Sequence, residues 1–412
     1  MLPNLKGHSL GMKIFIILPR VPYPLEKGDK LRAFYQIKEL AKNHDIILCA
    51  LNHNDKLDKQ KAFRKLQPYC LSINFIDIPK FAVPYNIVKA FIKGKPLQIG
   101  YFFSKKAQKK IEKLFNTHKP DHVYCQLVRT AEYGKNFKIS KTIDYQDVFS
   151  YGVKRRLGKA PFWLKPVLQL EYKRLLKYED EVFDLFDVKT IISSPDRDLI
   201  NHPAKNQIHI IPNGVDHNFF KPLDKEKKYD IVFTGNMSYP PNVDAAQFLV
   251  DDIMPLVWQR FPGAKLLLAG ASPDAKVKAL EKDNVEVSGW MEDIREAYAS
   301  AQIFIAPMRI GTGLQNKLLE AMSMKIPSIT TPLANAALQA EQNREILLGK
   351  TADELAENII RLLDDSTFAA ELAENAYNFV HRKYSWTKAA IKLEKLMSDS
   401  VFNKKEANNA KP

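Results

Sequence analysis

The stretch Ile303–Thr330, IFIAPMRIGTGLQNKLLEAMSMKIPSIT, constrains this chain more than any other. Apolar Ile303–Ala306 reads as a buried strand that stops at Pro307. A turn with Arg309, Gly311, Thr312 and Gly313 follows, and Leu314, Leu318 and Met322 then mark one face of a helix. Ile326–Thr330 reads as the next strand. Strand, glycine turn, helix, strand is a βαβ unit. Its helix N-terminus aims backbone N–H groups, and about half a positive charge, at whatever fills the crevice. Gly311 and Gly313 carry no Cβ to hold a ligand away. Lys317, one turn in, adds a full charge, and Glu320 lies three residues further along the same face. A carboxylate there is unsuited to phosphate but can accept two hydrogen bonds from a ribose diol. The competing reading is a surface loop with an ordinary Lys–Glu pair.

The same unit recurs on both sides of this stretch. In the first half, Lys13–Leu18, Ile46–Leu51, Ser72–Ile78, His122–Gln126, Thr142–Ile143, Lys189–Ser193 and Ile208–Ile211 read as strands, and Tyr151–Asp187 as a long helical region. His122 reads as a residue pointing into the sheet. Gly28, Asp29 and Arg32 follow the first strand, and Asp144 and Asp147 follow the fifth. All five are therefore expected at the carboxyl edge of a sheet, where open α/β folds bind ligands. In the second half, Tyr229–Phe233, Lys265–Ala269 and Val285–Val287 are strands with turns at Gly235, Gly270 and Gly289, and Glu345–Leu348 adds another. The fold class expected is α/β, with two Rossmann-like doubly wound domains facing across a cleft. The expected domains are residues 1–220, with 1–11 as a disordered lead, and residues 221–385. A C-terminal helix over 386–398 packs back towards the first domain, and 399–412 forms a disordered tail. Neither half carries GxGxxG after its first strand, which weakens a dinucleotide oxidoreductase.

Charge is divided unevenly. Through residue 222 the chain has 39 Lys and Arg against 21 Asp and Glu, a balance of +18, while the remainder stands at −3. An anionic partner for the first half is the implication. The basic, aromatic segment Phe81–Ile111 reads either as a membrane-surface element or as an ordinary pair of surface helices. Cys49, Cys70 and Cys125 are scattered, which fits a reducing compartment and argues against disulfides and a zinc site. No apolar run approaches the roughly 18–20 residues a spanning helix requires. The chain shows no recognisable nucleic-acid module.

Two segments, IIPNGVDHNFF (Ile210–Phe220) and GTGLQNKLLEAMSMKIPSITT (Gly311–Thr331), resemble the family-4 retaining glycosyltransferases of GT-B fold. TGNMSYPPNVDA, SGWMEDIREAYASAQIFIAPMRIGTG, IFIILPRVPYPLEKGDKLRAF and IDYQDVFS are similar to a subgroup associated with bacterial exopolysaccharide and exosortase (PEP-CTERM) gene clusters. The resemblance implies a hexosyltransferase with its nucleotide sugar on the second domain and its acceptor on the first. It assigns Glu320 to the nucleotide ribose, Gly311–Leu314 to the diphosphate and sugar, and Gly289–Met291 to the base. The donor-binding set is then Gly235, Asn236, Asn242, Gly289, Trp290, Met291, Gly311, Thr312, Gly313, Leu314, Gln315 and Asn316. Arg309, Lys317 and Glu320 are the catalytic set, and Gly28, Asp29, Arg32, Asp144 and Asp147 the acceptor-binding set. No cofactor and no metal are implied. Thr312 stands where the broad family has a glutamate, and the loop GNMSYPPN lacks the Arg and Lys that many members place there. Gln126 or Arg129 occupies the region of a donor-positioning histidine.

The reaction so implied moves a sugar from a nucleoside diphosphate sugar to a hydroxyl of a saccharide or lipid-linked acceptor, with retention, in exopolysaccharide or cell-surface glycan synthesis. Its setting is the cytoplasm, with peripheral contact to anionic membrane at the inner face of the plasma membrane as an open option. The competing functions are a nucleotide-sugar 2-epimerase, a catalytically silent GT-B scaffold, and a basic nucleic-acid binder.

Overall fold

Short runs of Val, Ile and Leu build two parallel sheets. The computed structural model describes residues 11–25, 27–311 and 313–409, so Thr312 and the expected lead up to residue 10 lie outside the described residues. The first sheet contains β1 (Lys13–Leu18), β2 (Asp45–Asn52), β3 (Ser72–Asp77), β4 (His122–Gln126), β5 (Ser140–Asp144), β6 (Val188–Ile191) and β7 (His209–Ile210). Its order is β3-β2-β1-β4-β5-β6-β7, and every pairing is parallel. Parallel strands need crossover connections that cover both faces, which is why these strands read as unbroken apolar runs. Ile14 to Leu18 are all buried. The chain steps from β1 out to β3, then returns to the other side of β1 with β4, leaving a topological switch between β1 and β4. His122 sits inside this sheet, with Nδ1 2.9 Å from Ser140 Oγ and Nε2 2.8 Å from Thr142 Oγ1. Burial drives its pKa down to about 3.

The second sheet repeats the plan. It contains β8 (Tyr229–Thr234), β9 (Leu266–Ala269), β10 (Val285–Gly289), β11 (Ala301–Ala306), β12 (Ser328–Thr330) and β13 (Leu347–Leu348), in the order β10-β9-β8-β11-β12-β13. Its pairings are again parallel, and the switch falls between β8 and β11. Both halves are Rossmann-like α/β units.

The chain divides into one unit of Met1–Ile211 with Thr387–Pro412, and a second of Pro212–Trp386. The boundary expected at residue 220 therefore lies earlier. The segment after Pro212 is threaded into the second unit. Val215 N donates to Tyr384 O at 3.1 Å, and a Cβ on Gly214 would stand 2.3 Å from Trp386 N. The expected tail over 399–412 is corrected as far as residue 409, because the last helix runs Trp386–Asn409, and 410–412 lie outside the described residues. Its Leu393 and Met397 join the cluster of Ile14, Ile16 and Leu18. Ser400 Oγ lies 2.6 Å from Ser140 Oγ, and Lys404 Nζ 2.8 Å from Asp187 Oδ1. The region expected to be helical, Tyr151–Asp187, holds two helices, Phe149–Lys159 and Lys165–Leu185. Ala160, which precedes Pro161, is forced into extended backbone at ψ 145°.

Candidate active site

In the second unit the switch-point crest is built from glycine. β8 turns at Gly235 and β9 at Gly270, and a Cβ on Gly270 would stand 1.8 Å from the Gly235 carbonyl oxygen. Only glycine lets the two loops meet. Gly289 (φ 67°) and Gly311 (φ 104°) turn in the left-handed region, with open space where a Cβ would point. The chain then enters the helix Asn316–Ser323. Gln315 makes no capping bond; its Nε2 turns back to Gly313 O at 2.9 Å. An N-terminus of this kind presents amides and positive dipole to an anion.

Two side chains of this helix are held by neutral partners. Lys317 Nζ donates to Asn242 Oδ1 at 2.6 Å and lies 4.5 Å from the centre of the Phe233 ring. Asn242 is itself fixed, with Nδ2 donating to Asn236 O at 2.9 Å. A Cβ on Gly235 would come within 3.1 Å of Lys317 Nζ. The helix after β11 thus delivers a cation to the loop after β8, the loop whose own sequence has none. Burial lowers the Lys317 pKa to about 7, with Glu320 acting in the opposite direction. Glu320 Oε2 accepts from Tyr298 Oη at 2.7 Å, and Tyr298 Oη lies 2.7 Å from Thr234 Oγ1. With Tyr298 donating to the carboxylate, Thr234 donates to Tyr298, so the chain of bonds has one direction. Glu320 Oε1 has no hydrogen-bond partner among the described residues. Burial raises the Glu320 pKa, and Tyr298 and Lys317 oppose it.

The remaining expected residues scatter in role. Asn236 Oδ1 accepts from Ser238 N at 3.0 Å and organises its own loop. Asn316 Oδ1 accepts from Asn213 Nδ2 at 3.1 Å. Leu314 and Met291 pack against the second unit's core, while Trp290 is exposed after Gly289. Arg309, expected to grip phosphate, instead forks onto Asp244 at 3.0 and 3.1 Å and stacks 4.2 Å from Phe248. Tyr298, Thr234, Asp244 and Gly270 belong to this constellation, and the sequence reading did not single them out as site residues.

In the first unit two of the residues expected to bind the acceptor are bonded to each other. Arg32 and Asp144 are fully buried. Arg32 Nε and Nη2 donate to Asp144 Oδ2 and Oδ1 at 2.7 and 3.1 Å, and Nη1 donates to Ile211 O at 2.9 Å. Asp144 also accepts from Thr190 Oγ1 at 2.8 Å and lies 2.7 Å from Tyr124 Oη. The pair is saturated and closed to a ligand in this structure. Gly28 opens the helix Gly28–Leu40, Asp29 pairs with Arg20, and exposed Asp147 accepts from Val148 N at 2.7 Å.

Residues 228–365 match the family model described as Glycosyl transferases group 1. The chain is a glycosyltransferase. It is 21% identical over 393 residues to an uncharacterized 44.6 kDa protein in the cps region of Klebsiella pneumoniae, covering 90% of this chain and 96% of that one. Sucrose-phosphate synthase from Thermosynechococcus elongatus superposes with a TM-score of 0.68 at 15% identity, over 94% of this chain and 98% of that one. HepE of Anabaena, solved in complex with UDP and glucose, also gives 0.68, at 14% identity over 94% and 99%. The transferase has the GT-B fold. Among its described residues no three His, Cys, Asp or Glu gather as a metal site, and no helix is long and apolar enough to cross a membrane.

Proposed function

We propose that this glycosyltransferase moves a sugar from a nucleoside diphosphate sugar to a hydroxyl of a saccharide or lipid-linked saccharide, with retention at the anomeric carbon. The observation that carries the reading is the Thr234–Tyr298–Glu320 relay, which leaves one carboxylate oxygen of Glu320 unspent beside Lys317. In this reading Glu320 accepts from the ribose hydroxyls, and the amides of Gly313 and Leu314 receive the diphosphate. Bond cleavage builds negative charge on the β-phosphate. The helix dipole and the Lys317 ammonium meet it without reorganising. The departing phosphate oxygen can take the acceptor's proton, so no pair of carboxylates at glycosidase spacing is needed. Arg309 would join only by leaving Asp244. The UDP held by HepE supports the choice of ligand class, and the relative from a cps region supports a role in surface-glycan synthesis.

A thermal-shift panel of UDP-, GDP- and TDP-sugars tests the reading. One class should stabilise the protein, and Glu320→Ala should weaken that ligand at least about tenfold, the loss of a hydrogen bond to a charged group. Unchanged donor affinity in Glu320→Ala refutes it.

The first unit is proposed to hold the acceptor and to touch anionic membrane. Two of its stretches expose large apolar side chains beside lysines. Phe81 (86% exposed) precedes the helix Ala82–Ile92, which carries Lys89 and ends on Ile92 (78%), just before Lys93, and Phe162 (84%) and Trp163 (65%) precede Lys165. Apolar insertion and attraction to acidic headgroups reinforce each other. Sedimentation with phosphatidylglycerol vesicles at low salt should exceed that with phosphatidylcholine vesicles; equal binding removes this part.

A further inference from the structure

Two arginines stand at the switch point of the first sheet. Arg20 follows β1 and Arg129 follows β4, the strands where chain order reverses, and crevices at such points take ligands in open α/β sheets. The Arg129 guanidinium lies 4.8 Å from the centre of the Phe102 ring and 4.2 Å from that of Phe149. Its Nη2 donates to the neutral Gln98 Oε1 at 2.8 Å, and its buried Nε makes no hydrogen bond. No carboxylate forms an ion pair with it among the described residues. Arg20 sits over the same Phe102 ring at 5.8 Å and pairs with Asp29.

Ring faces offset part of a guanidinium's charge. They leave the Arg129 Nε desolvated without a hydrogen bond beside a second cation, Arg20, which is itself paired with Asp29; an incoming anion completes the arrangement. Burial and Arg20 bring the Arg129 pKa down to about 10, with Asp29 and Asp147 opposing. His53, one residue beyond β2, stacks 5.0 Å from Tyr101, and both its ring nitrogens are buried without partners. Burial and Arg20 hold its pKa near 4, so it is neutral and can donate from one nitrogen.

We propose that Arg129 and Arg20, with His53 beside them, form a subsite for a phosphate group of the acceptor. The proposal rests on the reading that the first unit holds the acceptor. A sugar hydroxyl brings no charge to set against the Arg129 guanidinium. A phosphate oxygen neutralises it and suits the planar fork.

The test is calorimetric titration of the full chain with citronellyl diphosphate and with inorganic pyrophosphate. Both probes lack a base and a ribose, and parallel titrations in Lys317→Met separate this subsite from the nucleotide loop. Arg129→Gln and Arg20→Gln should each weaken citronellyl diphosphate at least about tenfold, nucleotide-sugar binding in Arg20→Gln should stay as in the parent, and Lys317→Met should leave the probe unaffected. Arg20, the more exposed, keeps the test readable if Arg129→Gln does not fold. A parent that binds neither probe, arginine variants that bind as the parent does, or loss of the probe in Lys317→Met each overturns the proposal. Tighter citronellyl diphosphate than pyrophosphate assigns the subsite to a lipid-linked phosphate; equal affinities assign it to the phosphate alone. Normal nucleotide binding by Glu320→Ala would sink the donor reading and leave these outcomes standing.

Discussion

Each unit sets a basic and an acidic side chain near the carboxyl edge of its sheet, and the two units use them in opposite ways. In the first, Arg32 and Asp144 grip each other through two bonds, and a backbone carbonyl, a threonine and a tyrosine complete the shell. In the second, Lys317 and Glu320 share a helix face, yet each is tethered by a neutral group, Asn242 or Tyr298. Charges that satisfy one another hold a fold together. Charges steadied by neutral partners keep capacity for a ligand. Residue type does not separate these cases; the partner does.

The largest test of this contrast falls on the buried pair. Asp144→Ala leaves Arg32 charged and dry, and should cost about 3–5 kcal/mol in denaturant unfolding. Glu320→Ala, by comparison, removes a group that faces open valence, so its effect should appear in donor affinity with little change in the unfolding midpoint. A large loss of stability there would erase the distinction. Lys317 supplies the smallest and most specific effect. Its ammonium is charged below about pH 7 and neutral above. Affinity for a nucleotide sugar, whose diphosphate carries no proton near neutrality, should therefore fall as pH rises through 7. Lys317→Arg should flatten that profile, because a guanidinium stays charged; a parent profile flat between pH 6 and 8 refutes the assignment.

Much of the architecture was legible because parallel strands buried on both faces leave a continuous apolar signal. His122–Gln126 and Lys13–Leu18 coincide with their expected ranges, and glycines at 235, 270 and 289 mark real strand ends. Side-chain partnerships were not legible. Arg32 and Asp144 are separated by 112 residues, Arg309 and Asp244 by 65, and Tyr298 and Glu320 by 22. Periodicity reports which face a residue occupies, and says nothing about which distant group will meet it. Arg32 and Asp144 accordingly stand at the expected edge of the sheet, but bonded to each other, a partnership their positions in the chain do not announce. The final helix was cut short for a related reason. Its end is polar, and what orders it is Ser140 and Asp187, far away in the chain.

That final helix makes the second unit an insertion within the first. The polypeptide leaves the first unit after Ile211 and re-enters it at Thr387. During synthesis, Ile14 and Leu18 therefore wait for Leu393 and Met397 until the whole intervening unit has been translated. Stopping translation at Trp386 would release a complete second unit attached to a first one with an apolar strip uncovered, whereas excising residues 212–386 removes nothing from the first unit's own core.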